Sequence, residues 1–84
     1  MNKLIQADGV VKDIKPANGK TYSLKELQEF VGGYIELVSL PDNLIMLVNE
    51  EGYNENLPPN NRVRLIFNKQ IVGNAVVCPR DFLD

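Results

Sequence analysis

The pattern of apolar and polar residues divides the chain into a short series of small elements. Apolar residues at spacings of three and four indicate a helix, whereas short runs rich in β-branched residues between turn residues indicate strands. Taken along the sequence, these patterns predict a hairpin, a helix, two strands, a second helix and a last strand. The predicted segments are residues 1–16, 23–31, 34–40, 44–50, 60–67 and 71–78.

The first helix has the most distinct signals. Ser23 and Glu26 have the spacing of a capping box, in which each side chain accepts a hydrogen bond from the other residue's backbone N–H. Apolar residues then recur on one side, and Gly32 supplies a residue that can end the helix in the left-handed conformation. Tyr22 before the cap can pack on Leu27 as a hydrophobic staple.

Turn residues separate the predicted strands. The Asp8-Gly9 pair predicts a tight turn in the N-terminal hairpin. Residues 41–43, Pro-Asp-Asn, predict a second hairpin between the runs 34–40 and 44–50. Within the run 71–78, Gly73-Asn74 suggests a bulge.

Residues 60–67 fit two structures. Val63, Ile66 and Phe67 have helical spacing, whereas residues 62–65 alternate polar and apolar as in a strand. Pro58-Pro59 cannot lie inside a helix but can precede one, and Asn60 can cap it. We therefore favour a short helix and leave the strand as the alternative.

Together these elements predict one α+β domain spanning residues 1–84. We expect a small single-layer β-sheet with two helices packed on one face, in the order β(β)αββαβ. This order suggests a ferredoxin-like arrangement. Right-handed crossovers would then place the strands near residues 10–15 and 71–78 beside each other in the sheet interior.

Composition excludes several classes of function. The chain has no histidine, so the usual acid–base group and the usual transition-metal ligand are missing. Cys78 is the only cysteine, which excludes an internal disulfide and favours a reducing compartment. The net charge of −2, with scattered basic residues, argues against nucleic-acid binding. We expect no enzymatic activity, no cofactor and no metal.

The same totals set expectations for location and assembly. No apolar run approaches the length of a membrane span or signal peptide, so we expect no membrane partner and a cytoplasmic location. A chain of 84 residues has a small core, and a homo-oligomer would supply additional burial. An oligomer is therefore one expectation, although the sequence does not decide it.

The polar segment 49–62, "NEEGYNENLPPNNR", contains most of the candidate binding residues. Glu50 and Glu51 lack the spacing of a calcium loop, and adjacent strand residues point to opposite faces, so a solvated connection is the simpler interpretation. Arg62 and Arg64 could bind a phosphate or carboxylate, although solvated surface arginines are commoner. The predicted ligand-binding set, with no catalytic or metal residues, is Tyr34, Glu36, Asn49, Glu50, Asn60, Arg62 and Arg64.

Four stretches closely resemble one family. The segments "SLKELQEFVGGYIE", "PDNLIMLVNEEG", "LPPN" and "IVGNAVVC" are similar to those of the family named domain of unknown function 3846. The resemblance covers nearly the whole chain and implies the same fold and an origin in phages or other bacterial mobile elements. Residues 63–65, Val-Arg-Leu, depart from the family, which usually has an alanine-bearing helix there.

The resemblance and the missing catalytic groups suggest a non-enzymatic accessory protein that binds and neutralises a host factor. One form of this hypothesis is an anti-defence sponge for a nucleotide-derived signal, acting in the host cytoplasm. The alternative is a protein–protein inhibitor or adaptor that occludes a host enzyme. A small enzyme or a metal-binding protein is the third hypothesis.

Overall fold

The structure is a computed structural model that describes residues 1–84. It contains five strands, two α-helices and a 3₁₀ turn at Arg80–Phe82. None of the helices is long and apolar enough to cross a membrane. The elements are β1 (Lys3–Ile5), β2 (Val11–Asp13), α1 (Leu24–Val31), β3 (Ile35–Ser39), β4 (Leu44–Asn49), α2 (Asn61–Phe67) and β5 (Ala75–Pro79).

All five strands form one antiparallel sheet in the order β2-β1-β5-β4-β3. The two predicted hairpins, β1–β2 and β3–β4, form the two sides of this sheet. Strand β5 joins them, because it pairs with β1 along one edge and with β4 along the other. The last strand in the sequence is therefore the central strand of the sheet.

The sheet buries apolar residues on both of its faces. Alternate residues of a strand point to opposite faces, so β4 contributes Ile45 and Leu47 to one core and Met46 and Val48 to the other. Helix α1 covers the first core with Leu27 and Val31. Helix α2 covers the second core, mainly with Val63, which is fully buried.

Helix α1 begins and ends as predicted. The Ser23 hydroxyl accepts a hydrogen bond from Glu26 N–H at 3.1 Å, and the Glu26 carboxylate accepts one from Ser23 N–H at 2.9 Å. Gly32 ends the helix with a φ of 82°. Tyr22 and Leu27 belong to the same buried cluster, as expected for the staple.

The α+β class and the order of the elements are confirmed. Residues 61–67 form a helix, which resolves the ambiguity between helix and strand. Strand β5 is shorter than the predicted run 71–78, because Gly73 has a φ of 78° and the ladder with β4 begins at Ala75.

Two spatial predictions are wrong. The helices lie on opposite faces of the sheet, because the polar connection after β4 brings α2 to the face opposite α1. The strand near residues 10–15 lies at a sheet edge as β2, and β1 occupies the position beside β5 that we expected for it. The arrangement is therefore a sheet between two helices, without the interior strand pair of the ferredoxin-like model.

The segment after β5 packs against the α1 core. Tyr22 N–H donates to the Phe82 carbonyl at 2.8 Å, and Phe82 and Leu83 pack against the α1 core. The Tyr22 hydroxyl also donates to Asn2 Oδ1 at 2.8 Å. A single buried tyrosine thus holds Asn2 and Phe82 at the α1 core.

Candidate functional site

The polar connection between β4 and α2 forms a compact turn rather than an extended loop. Glu55 N–H donates to the Glu51 carbonyl at 2.9 Å, and Leu57 N–H donates to the Gly52 carbonyl at 3.0 Å. Gly52 is required by close packing, since a Cβ atom there would lie 2.7 Å from a methyl group of Val72. The connection therefore has a defined backbone conformation, which positions its side chains.

Asn49 is a structural residue at the start of this connection. Its amide nitrogen donates to the Val31 carbonyl at 3.3 Å and to the Glu55 carboxylate at 2.9 Å. Its amide oxygen accepts from Glu51 N–H at 2.8 Å. Only 6% of the residue is exposed, so its polar atoms are used to tie the connection to the end of α1.

Asn60 has a similar role at the end of the connection. Its amide oxygen caps α2 by accepting from Val63 N–H at 3.0 Å. Its amide nitrogen donates to the carbonyls of Ile5 and Gly73, both at 2.9 Å. Asn49 and Asn60 belong to the predicted ligand-binding set, but the structure uses their amide groups within the fold.

Tyr53 lies between two adjoining depressions on the α2 side of the sheet. Its ring is 70% exposed, and its hydroxyl donates to the Gln70 carbonyl at 3.3 Å. The two depressions share Tyr53, Gln70, Ile71 and Val72 in their linings, so we describe them together as the Tyr53 groove. One depression has a volume of about 230 Å³ and the other about 160 Å³.

The two ends of the Tyr53 groove have opposite charge. The larger depression is lined at α2 by Asn61 and Arg64, and Arg64 is its only charged residue. The smaller depression is lined by Glu36 of β3 and by Glu50 after β4. Arg64 makes no ion pair with any carboxylate of the chain, so its charge is available to a ligand.

Arg62 does not belong to this groove. Residues two apart on a helix point to different sides, and the Arg62 guanidinium donates to the Gly9 carbonyl at 3.2 Å in the turn of the first hairpin. The structure thus separates the two arginines that we had considered together. Only Arg64 lines the groove.

A third depression, of about 500 Å³, lies beside Tyr34 and has the wrong charge for an anion. Its lining contains one lysine, Lys25, and three glutamates, Glu29, Glu51 and Glu55. Tyr34 is 71% exposed at its rim. Lys25 shares this depression with three carboxylates, whereas Arg64 is the only charged residue in its own depression, so the Tyr34 side disfavours phosphate despite its larger volume.

The comparisons with known proteins give one family. The model of the family described as Domain of unknown function (DUF3846) matches residues 4–82. The chain belongs to this family. No curated protein and no solved structure matches it. The match confirms the predicted resemblance, and the family's description assigns no activity, so functional inference depends on the geometry.

The predicted site residues are distributed over three places in this family member. Tyr34 borders the acidic depression, and Arg62 lies at the first hairpin. The remaining five line the Tyr53 groove: Glu36, Asn49, Glu50, Asn60 and Arg64. Whether any of them binds a ligand stays a prediction.

Sequence reasoning missed the residues that join the two depressions. Tyr53 lies inside the polar segment 49–62. An aromatic residue between amides and carboxylates could have indicated a ligand-binding position. Gln70, Ile71 and Val72 gave no such signal. They reach the groove because Pro59 bridges to Val72 and Asn60 N–H donates to the Ile71 carbonyl at 2.8 Å.

Two titratable groups with raised pKa values lie in the α1 core, away from the groove. Burial raises the pKa of the Cys78 thiol to about 11, and burial together with Cys78 and Glu26 raises the pKa of Tyr22 to about 12. Both groups stay protonated at neutral pH and behave as core residues. No three acidic or cysteine side chains are placed together to hold a metal ion.

Proposed function

We propose that the protein is a non-enzymatic binding protein for a small anion of the nucleotide type, held in the Tyr53 groove. Sequestering such a molecule would neutralise a host signal, as expected of an anti-defence sponge encoded by a phage or another mobile element. The observation that carries the proposal is the composition of the Tyr53 groove. The unpaired Arg64 lines one depression, two carboxylates line the other, and the exposed Tyr53 ring lies between them.

The three parts of the groove match the phosphate of a nucleotide, the face of its base and the edge of its base. The Arg64 guanidinium can donate paired hydrogen bonds to phosphate oxygens. The Tyr53 ring offers a stacking surface, and stacking of a base on an aromatic ring contributes about 1–3 kcal/mol. The carboxylates of Glu36 and Glu50 can accept hydrogen bonds from exocyclic amino groups at the other end.

The size of the groove limits the ligand. Each depression alone is smaller than the roughly 300 Å³ at which ligand pockets usually begin, so a ligand must span both. A mononucleotide or small cyclic nucleotide fits this description better than a long oligonucleotide. The acidic Tyr34 side supports the same choice, because it offers no continuous basic track for a phosphate backbone.

The experiment compares two arginine variants. Native mass spectrometry of protein made in a bacterial host with an active nucleotide-signalling defence should show a co-purified small molecule. A thermal-shift panel of mononucleotides and cyclic nucleotides should then find a stabilising ligand. Arg64→Ala should weaken its binding about ten- to hundredfold, because a charge-assisted hydrogen bond is lost.

Arg62→Ala is the matched control, since Arg62 lies on the same helix but outside the groove. It should bind the ligand as well as the wild type does. An apo mass together with no thermal shift across the panel, or equal losses in both variants, would refute the proposal.

The second candidate function is occlusion of a host protein, and α2 provides the observation that favours it. Leu65 and Ile66 are 82% and 50% exposed on this helix, and large apolar residues side by side on a surface helix are typical of protein contacts. Leu65→Ser should abolish a host-protein complex while leaving nucleotide binding intact. Loss of nucleotide binding alone in Arg64→Ala would favour the sponge.

A further inference from the structure

The outer edge of β3 is an unpaired strand edge. The hydrogen bonds Leu40 N–H to the Leu44 carbonyl and Glu50 N–H to the Tyr34 carbonyl fix the even-numbered residues of β3 as those that pair with β4. The N–H and C=O groups of Ile35, Leu37 and Ser39 therefore point away from the sheet. Unpaired groups of this kind template pairing with another strand.

Strand β3 has only one of the features that normally protect such an edge, the charge of Glu36. Soluble proteins block edge strands with lysine, proline or a bulge, and residues 35–39 contain none of these and pair with β4 without interruption. Glu36 is the only charged residue of the strand. The opposite edge of the sheet, β2, has a lysine in its middle and only three residues.

Two large apolar side chains at this edge are exposed. Leu37 is 42% exposed on the α1 face of β3, and Tyr34 is 71% exposed at the start of the strand. Leu24 is 59% exposed and lies one turn before Gln28, on the side of α1 that borders the acidic depression. Leu37 and Tyr34 thus place exposed apolar surface beside the unpaired backbone groups.

We propose that β3 pairs with β3 of a second copy of this chain, antiparallel and about a two-fold axis at Leu37. This axis places Leu37 opposite Leu37 and Ile35 opposite Ser39 of the other copy. The outward N–H and C=O groups of both strands then form hydrogen-bonded pairs. The two sheets become one continuous sheet, and the two α1 helices lie on the same face.

The register follows from charge and backbone chemistry. An axis at Glu36 would place two glutamates directly opposite each other, which destabilises an antiparallel pair. An axis at Val38 would bring Pro41, which has no N–H, into the hydrogen-bonding position opposite Ile35. With the axis at Leu37, Glu36 faces Val38 of the second copy and neither conflict arises.

Charge complementarity supports a second copy as the occupant. The Arg80 guanidinium donates to the Ser39 hydroxyl at 3.0 Å and is exposed on the α1 side of β3. In the proposed pairing, Ser39 lies opposite Ile35 of the other copy, next to its Tyr34 and acidic depression. Each copy thus brings an arginine to the side of the other copy that carries the acidic depression.

Sedimentation equilibrium of the full chain tests the pairing. The wild type should form a dimer as the concentration rises toward the millimolar range. Leu37→Lys should raise the dissociation constant at least about tenfold, because two ammonium groups would face each other across the axis. Val11→Lys on β2, where the side chain has a similar 41% exposure, should leave the dimer unchanged.

A disulfide test reports the register independently of affinity. The Cα atoms of a hydrogen-bonded antiparallel pair lie about 5.5 Å apart, within the range that a disulfide can bridge. Leu37→Cys should therefore form an intersubunit disulfide under mild oxidation, while Glu36→Cys should do so much more slowly. The native Cys78 is buried and does not interfere.

Several results would overturn the proposal. A wild type that stays monomeric up to millimolar concentration would do so, as would a Leu37→Lys variant with the wild-type circular dichroism spectrum and an unchanged dimer. Equal crosslinking at positions 36 and 37 would also contradict the register. A dimer that Arg80→Glu weakens several-fold would support the predicted arginine contact, and an unchanged one would refute that contact.

Discussion

Replacement of Asn60 tests whether this residue stabilises the fold as the structure indicates. Its side chain caps α2 and donates to two carbonyls from distant parts of the chain, and only 2% of the residue is exposed. Asn60→Ala removes the cap, which costs about 1 kcal/mol. It also removes one of the hydrogen bonds to the Ile5 carbonyl, which pairs with Ala75 as well, and leaves the Gly73 carbonyl without its side-chain donor, at about 1 kcal/mol each.

The expected loss of unfolding free energy is therefore about 3 kcal/mol, a large share of the roughly 5–15 kcal/mol available to a small domain. Urea unfolding followed by circular dichroism measures it directly. With a slope near 1 kcal/mol per molar urea, the midpoint should fall by about 3 M. Asn61→Ala, at the exposed neighbouring position, should change the midpoint little.

Asn60→Asp distinguishes the cap from the donor role. Aspartate caps helices as well as asparagine does, so a residue that acted only as a cap would tolerate this change. In the structure, however, the new carboxylate oxygen would face two carbonyls that now receive a hydrogen bond. We expect Asn60→Asp to destabilise at least as much as Asn60→Ala, with a smaller loss at low pH, where a protonated carboxyl can donate. An Asn60→Asp variant as stable as the wild type would refute the reasoning.

Two further predictions concern titratable groups of the α1 side. Hydrogen bonds from the backbone N–H groups of Ser23 and Ala17 hold the pKa of Glu26 below its usual value of 4.5, so the stability it contributes at higher pH is lost as the pH falls through the lowered pKa. Glu26→Gln keeps the capping box, so its unfolding free energy should fall less steeply with decreasing pH than that of the wild type. Equal slopes of unfolding free energy against pH would contradict this cause. Burial raises the pKa of the Cys78 thiol to about 11, so iodoacetamide at mildly alkaline pH should label it in urea but not in the native protein. Native labelling at the unfolded rate would show that the thiol is accessible.

The sequence predicted the features that depend on neighbouring residues. The capping box of α1 involves residues three apart, and the β3–β4 hairpin depends on the turn at residues 41–43, where Asp42 and Asn43 both adopt positive φ values. Such local geometry can be derived from residue type and spacing alone. The α+β class follows from these elements.

The features that the sequence did not predict depend on distant contacts. The partners of the Asn60 amide nitrogen, Ile5 and Gly73, lie 55 and 13 positions away, so a residue that looked available for a ligand is a structural one. The placement of α2 on the second face depends on the same contacts. Similarly, Arg62 and Arg64 are two positions apart and would share a face on a strand. On the helix that the structure shows, their side chains point to different sides.

The central position of β5 has a consequence for the way the protein is synthesised. Until residues 75–79 have been made, the nascent chain can form the β1–β2 and β3–β4 hairpins, but the two have no strand between them. During this time, the edges of β1 and β4 that later pair with β5 stay unpaired. Unpaired strand edges of this kind are prone to incorrect pairing with other strands. Completion of the sheet therefore waits for residues 75–79 to leave the ribosome, because they form the strand that joins the two hairpins.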